Sequence, residues 1–129
     1  MIRIPQHIIE AMIAHARAEL PDEACGLLTG TCNEVRKQHT LTNIDHSPEH
    51  FSFDPQEQFR VLKEARREGL KIVACYHSHP STPARPSEED IRLAYDPSII
   101  YVIVSLAADE PEVKAFSIIK GTAQREEIT

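Results

Sequence analysis

His77-Ser78-His79-Pro80, followed by Ser87 and Asp90, is the stretch of this chain whose residue types and spacing could do chemistry. Two imidazoles stand two residues apart, and a carboxylate follows eleven positions after the second. Neutral imidazole and carboxylate are borderline ligands that suit Zn²⁺. Residues i and i+2 of a strand share a face, so both rings can meet one ion. Pro80 supports an extended His79, because the residue before a proline avoids the α region. Asp90 makes a third donor. Three protein ligands leave the fourth tetrahedral position to water, the pattern of a catalytic rather than a structural zinc. Asp90 has a competing structural role, since Ser87-x-x-Asp90 is nearly a capping box with Asp in place of Glu or Gln. A carboxylate in the first turn of a helix can cap and still aim at the end of a neighbouring strand.

Hydrolysis at such a site needs a proton acceptor outside the ligand set. The sequence offers Asp22, Glu23, Glu88 and Glu89. Glu23 stands apart because it enters a buried strand; its structural alternative is a solvated loop carboxylate after Pro21. Ser87 can accept an N–H of the helix as a cap and still donate its own proton to a developing oxyanion. Cys75 lies two residues before His77, so a thiolate ligand is conceivable, against the commoner role of a buried small hydrophobe. His46 and His50 lie in a polar segment without an apolar frame and read as surface residues. His7 and His15 read as surface or boundary residues of a helix.

The elements that must position these groups follow from periodicity. Residues 6–20 form a helix with Ile8 or Ile9, Met12, Ala16 and Leu20 on one face. A buried strand runs from Glu23 to Gly30, and a second from Glu34 to Leu41, paired antiparallel. Segment 42–54 is an irregular connection bordering a cleft. Asp54-Pro55-Gln56-Glu57 starts a helix with cap, N1 proline and N3 glutamate in place. It runs to about Glu68, with Phe59, Leu62 and Ala65 or Arg66 on its inner side, and Gly69 stops it. Lys71 to His77 is a central strand with Val73, Cys75 and His77 on one face. A third helix opens at Ser87 and reaches about Tyr95. Strands follow at 99–105, 112–120 and 123–128, the last an exposed edge. This order implies one domain over 1–129, an α/β fold with a mixed sheet and helices on its faces.

The net charge of −6 argues against a general nucleic-acid or anionic-membrane surface. Arg66-Arg67 is flanked by Glu64 and Glu68 and reads as a solvated helix face. Three cysteines at no disulfide-like spacing and no recognisable signal peptide favour a reducing cytoplasm. No window is long and apolar enough for a membrane helix. No sequence feature fixes an oligomeric state, and a homo-oligomer is compatible with it.

His77-x-His79-Pro80, six residues, Ser87-x-x-Asp90, with Glu23 upstream in PDEACGLLTG, resembles the JAMM (MPN+, Mov34/PAD-1) metalloprotease family. The similarity spans about residues 5 to 119 and is greatest to small stand-alone prokaryotic members. The resemblance implies a cytidine-deaminase-like JAB1/MPN fold and a zinc peptidase or isopeptidase. It implies His77, His79 and Asp90 as ligands of one Zn²⁺, Glu23 as general base and acid, and Ser87 as oxyanion donor. The implied substrate is the C-terminal tail of a ubiquitin-like or sulfur-carrier protein. Two rival readings are a protein-binding module that keeps zinc for stability and a RadC-like DNA-repair-associated protein. The complete motif weighs against the first and the acidic charge against the second.

Overall fold

The computed structural model describes all 129 residues. Its elements, in chain order, are α1 (Gln6–Ala18), β1 (Cys25–Thr31), β2 (Glu34–Leu41), α2 (Pro55–Arg67), β3 (Lys71–His79), α3 (Glu88–Arg92), β4 (Ile100–Ser105), β5 (Glu112–Ile119) and β6 (Thr122–Glu126). The strands form one six-stranded sheet in the order β2-β1-β3-β4-β5-β6. Only the central pair, β3 and β4, is parallel; the other four pairings are antiparallel. This is the mixed α/β sheet expected from the element order, with β6 at one edge. The parallel pair forces a crossover, and residues 80–99 with α3 provide it.

Strand alternation sends two sets of side chains to opposite faces. Leu28, Ala74, Tyr76, Val102 and Val104 pack under Ile8, Met12 and Ala16 of α1. Cys25, Leu27 and Cys75 pack under Val61 of α2 on the other face, and Ile103, Phe116 and Ile118 continue that layer around Ala84. Burying β1, β3 and β4 on both faces explains their unbroken apolar runs.

Four expectations fail in detail. Val73 does not share a face with Cys75 and His77. Leu28 pairs with Ala74 but Thr29 pairs with Ile72, so Val73 is an extra, bulged residue. The bulge turns Val73 toward the α1 layer and brings Ile72 to the Cys75 side. Of the expected inner side of α2, Ala65 is buried, but Phe59 and Leu62 are 62% and 41% exposed, and Val61 is the second buried residue. Phe59 lies under the Lys63 ammonium, 5.6 Å from its ring centroid. Leu20 falls beyond the end of α1 and is exposed. The third helix stops at Arg92, three residues short of Tyr95.

Gly26 pairs directly with Tyr76, whose ring lies across it. A Cβ there would fall 2.4 Å from both Tyr76 Cε1 and the His39 carbonyl oxygen. The Tyr76 hydroxyl is held by His15 Nδ1 at 2.7 Å and Gln38 Nε2 at 2.8 Å, so the ring has little room to yield. Gly26→Ala is therefore expected to cost about 1–3 kcal/mol, read as a lower urea midpoint at unchanged slope.

Candidate metal centre

The site lies at the carboxyl end of β3. His77 and His79 are both buried, at 3% and 4% exposure, and their rings leave the same face of the strand. Beside them β4 runs parallel, with His79 opposite Ser105. The start of α3 brings up Asp90. Ser87 Oγ accepts the Asp90 N–H at 3.0 Å and Asp90 Oδ2 accepts the Ser87 N–H at 2.9 Å, a complete capping box. The same Oδ2 lies 3.2 Å from His77 Nε2 and 3.0 Å from His79 Nε2. Cap and site are thus served by one carboxylate oxygen.

The three donor atoms form a triangle with edges of 3.0, 3.1 and 3.2 Å. A tetrahedral ion with bonds of about 2.0 Å requires ligand–ligand edges of about 3.3 Å, so the group fits with a small expansion. These are the residues of the chain whose donor atoms group closely enough to hold a metal ion. The tautomer also fits. His79 Nδ1 stands 2.9 Å from the Pro83 carbonyl oxygen, which can only accept, so Nδ1 carries a proton and the neutral ring presents its lone pair at Nε2. Ser105 Oγ donates to the Thr82 carbonyl at 2.6 Å and anchors the loop that supplies that acceptor. The His77 ring is stacked on Phe51, with centroids 4.7 Å apart and planes 24° apart.

Burial disfavours the His79 imidazolium, but hydrogen bonds to Asp90 and the Pro83 carbonyl outweigh it and move its pKa up. Burial would raise Asp90, yet His77 and His79 hold it well below the usual carboxylate range.

Glu23 is placed by strand register. Cys25 pairs with His77, and two hydrogen bonds between Ala24 and Ser78 extend the ladder by one residue: Ser78 N–H to Ala24 O at 2.9 Å and Ala24 N–H to Ser78 Oγ at 2.7 Å. Glu23 is the next residue, two before the start of β1, and lies close enough to the triad for His79 and Asp90 to act on its ionisation. Its side chain is 4% exposed. Burial pushes its carboxyl up to about 8; His79 opposes the shift, and Asp90, Glu89 and Glu49 add to it.

A cavity of about 510 Å³ opens beside the triad, between the sheet and α2. His77 and Asp90 form one end, and Phe53, Leu62, Leu93 and Tyr101 are among its apolar walls. Phe51, Ser52 and Phe53 border it, as expected of segment 42–54. The other candidates lie elsewhere. Cys75 lines the cavity, but its thiol is pushed up to about 12 by burial and nearby acidic groups, so it remains a protonated small hydrophobe. Cys25 and Cys75 are buried, Cys32 is exposed, and none is paired. His50 bonds Asp45 at 3.3 Å on the surface, and His15 bonds Tyr76 in the α1 layer. Of the supporting groups, Ser78 lies within the sequence motif, but Phe51, the Pro83 carbonyl and Ser105 carry no signal of periodicity or spacing.

A family model for prokaryotic homologs of the JAB domain matches residues 5–119, and the chain belongs to that family. It is 36% identical over 124 residues to a CysO-cysteine peptidase of Mycobacterium tuberculosis, covering 94% of this chain and 85% of that protein. It is 34% identical to a desampylase of Pyrococcus furiosus over 113 residues, 88% of this chain and 78% of the relative. Among solved structures, a protein of Desulfitobacterium hafniense superposes with a TM-score of 0.92 at 48% identity, covering 100% of this chain and 92% of the other. A JAB1/MPN domain protein of Archaeoglobus fulgidus superposes with a TM-score of 0.66 at 26% identity, over 99% and 98% of the two chains. The fold is that of JAB1/MPN domains.

The raised Glu23 pKa has a consequence for stability without metal. A carboxyl whose folded pKa exceeds its unfolded value favours folding at low pH, and that contribution is lost as pH rises from 4.5 through about 8. Glu23→Gln removes the ionisation. In chelator-treated protein, the stability of Glu23→Gln relative to the parent should therefore increase between about pH 5 and about pH 9. Urea melts at the two pH values measure it; an equal difference at both would mean Glu23 is not buried as described.

Proposed function

We propose that this protein is a zinc-dependent peptidase or isopeptidase that cleaves at the C-terminus of a ubiquitin-like or sulfur-carrier protein. The observation that carries this reading is the convergence of two buried imidazole nitrogens and a partly buried carboxylate oxygen on one point, with the buried Glu23 carboxyl within their electrostatic reach. The names of the relatives, a CysO-cysteine peptidase and a desampylase, support the same class of reaction. In this reading His77, His79 and Asp90 hold one Zn²⁺, and residues 1–129 form a single domain. When bound, the ion supplies Lewis acidity, which makes water a nucleophile near neutral pH and polarises the scissile carbonyl.

The chain's own residues do the rest. Glu23 takes a proton from the attacking water and returns it to the leaving nitrogen, so one group serves as base and then acid. Burial keeps Glu23 basic enough for the first task. A divalent cation among the neighbouring ligands favours its carboxylate form and opposes that burial. Ser87 Oγ uses a lone pair in the capping box, which leaves its proton to donate to the carbonyl oxygen as charge develops. His79 is held in one tautomer by the Pro83 carbonyl, and Asp90 is held by the cap it completes. The unpaired cysteines suit a reducing cytoplasm.

The test is a set of variants assayed on carrier–peptide fusions. Glu23→Ala should retain zinc and lose about 10²- to 10⁴-fold in kcat. His77→Ala should lose both zinc and turnover, and removing zinc from the parent should abolish activity that added zinc restores. Undiminished hydrolysis by Glu23→Ala would refute its role as base and acid.

A further inference from the structure

We propose that Asn43 is a positioning residue for Glu23, holding the glutamate by its peptide rather than by its side chain. The inference rests on Glu23 as the acid and base proposed above. It comes from accounting for every backbone polar group around that residue. Glu23 N–H donates to the Ser47 carbonyl at 2.9 Å, and Glu23 C=O accepts from Asn43 Nδ2 at 3.0 Å. Ala24 N–H and C=O both go to Ser78, between the two histidines. All four groups are therefore used. Ser78 ties the segment to the strand that carries the imidazoles, and the loop 43–53 ties it from the other side.

Asn43 is the hub of that loop. It is 7% exposed, although it sits in a polar connection. Its amide also donates to the His50 carbonyl at 3.1 Å and approaches the Ser47 carbonyl at 3.5 Å. Its Oδ1 accepts the N–H groups of Asp45 at 3.0 Å and Ser52 at 3.3 Å. The residue that accepts Glu23 N–H, Ser47, is thus held by the same side chain that donates to Glu23 C=O. Only a carboxamide of this length can do this, because the position needs two donors and an acceptor. The network also fixes the amide's orientation: the flipped form would set Oδ1 against three carbonyl oxygens. Asp at 43 would do the same, replacing attraction to the Glu23 and His50 carbonyls by repulsion. Asn43 itself touches none of His77, His79 and Asp90; the loop it braces reaches His77 through the stacked ring of Phe51, so zinc affinity tells whether the ligands stay in place while the acid and base moves.

Two variants test this, Asn43→Ala and the isosteric Asn43→Asp, each read by zinc affinity, steady-state kinetics and amide hydrogen exchange. Both should bind zinc like the parent. Both should lower kcat on a carrier–peptide fusion by about 10- to 100-fold with KM little changed, since displacement by about 1 Å can cost that much. In exchange, protection should fall roughly tenfold or more at Glu23, Asp45 and Ser52 while Cys75 and Val102 keep theirs. Parental kcat in folded, zinc-loaded variants would overturn the proposal, as would retained protection at Glu23. An equal loss of protection across the sheet would also overturn it, making Asn43 a general stability residue. If the parent hydrolyses no carrier adduct, the proposed function fails instead, and exchange at Glu23 alone decides whether Asn43 holds it.

Discussion

Lone pairs aimed at one buried point repel each other unless a cation or shared protons lie among them. His77 Nε2, His79 Nε2 and Asp90 Oδ2 stand within 3.2 Å of one another in a largely buried place, and much of the surrounding structure holds them there. The Pro83 carbonyl fixes one imidazole and a capping box fixes the carboxylate. Ser105 holds the loop that carries Pro83. Such preorganisation leaves little reorganisation to be done when a divalent ion arrives.

The sheet supplies the remaining constraint. β3 is paired antiparallel with β1 on one side and parallel with β4 on the other. The segment entering the antiparallel neighbour delivers Glu23, because Cys25 pairs with His77 and Ala24 bonds Ser78. The parallel neighbour leaves its crossover at the carboxyl end of β3, and that crossover delivers Ser87 and Asp90. The donor side chains of one strand and one helix start meet the carboxyl of the segment before another strand because three chain segments end at the same rim.

Much of this was legible in the sequence. The His-x-His pair, the following Ser and Asp and the apolar runs are local signals, and local signals specify strands, caps and their parity. What escaped was set by pairing or by loops. The bulge that turns Val73 away depends on the register with β1, which no periodicity in β3 encodes. Phe59 is exposed because helical spacing turns it away from the Val61–Ala65 stripe that α2 buries. Glu23 could only be shortlisted among nearby acids by first principles, because its address is a register fifty residues away; family resemblance singled it out. Asn43 looked like any polar loop residue. Side-chain-to-backbone hydrogen bonds in irregular segments follow no period, so only coordinates reveal them.

The most direct test of the central claim is one turnover of a carrier–peptide fusion by the zinc-loaded protein in water enriched in oxygen-18, read by intact mass of the released carrier. Direct attack by water predicts a carrier whose new C-terminal carboxylate holds one heavy oxygen. An uncleaved fusion with zinc bound, or a cleaved carrier lacking the heavy oxygen, would contradict it.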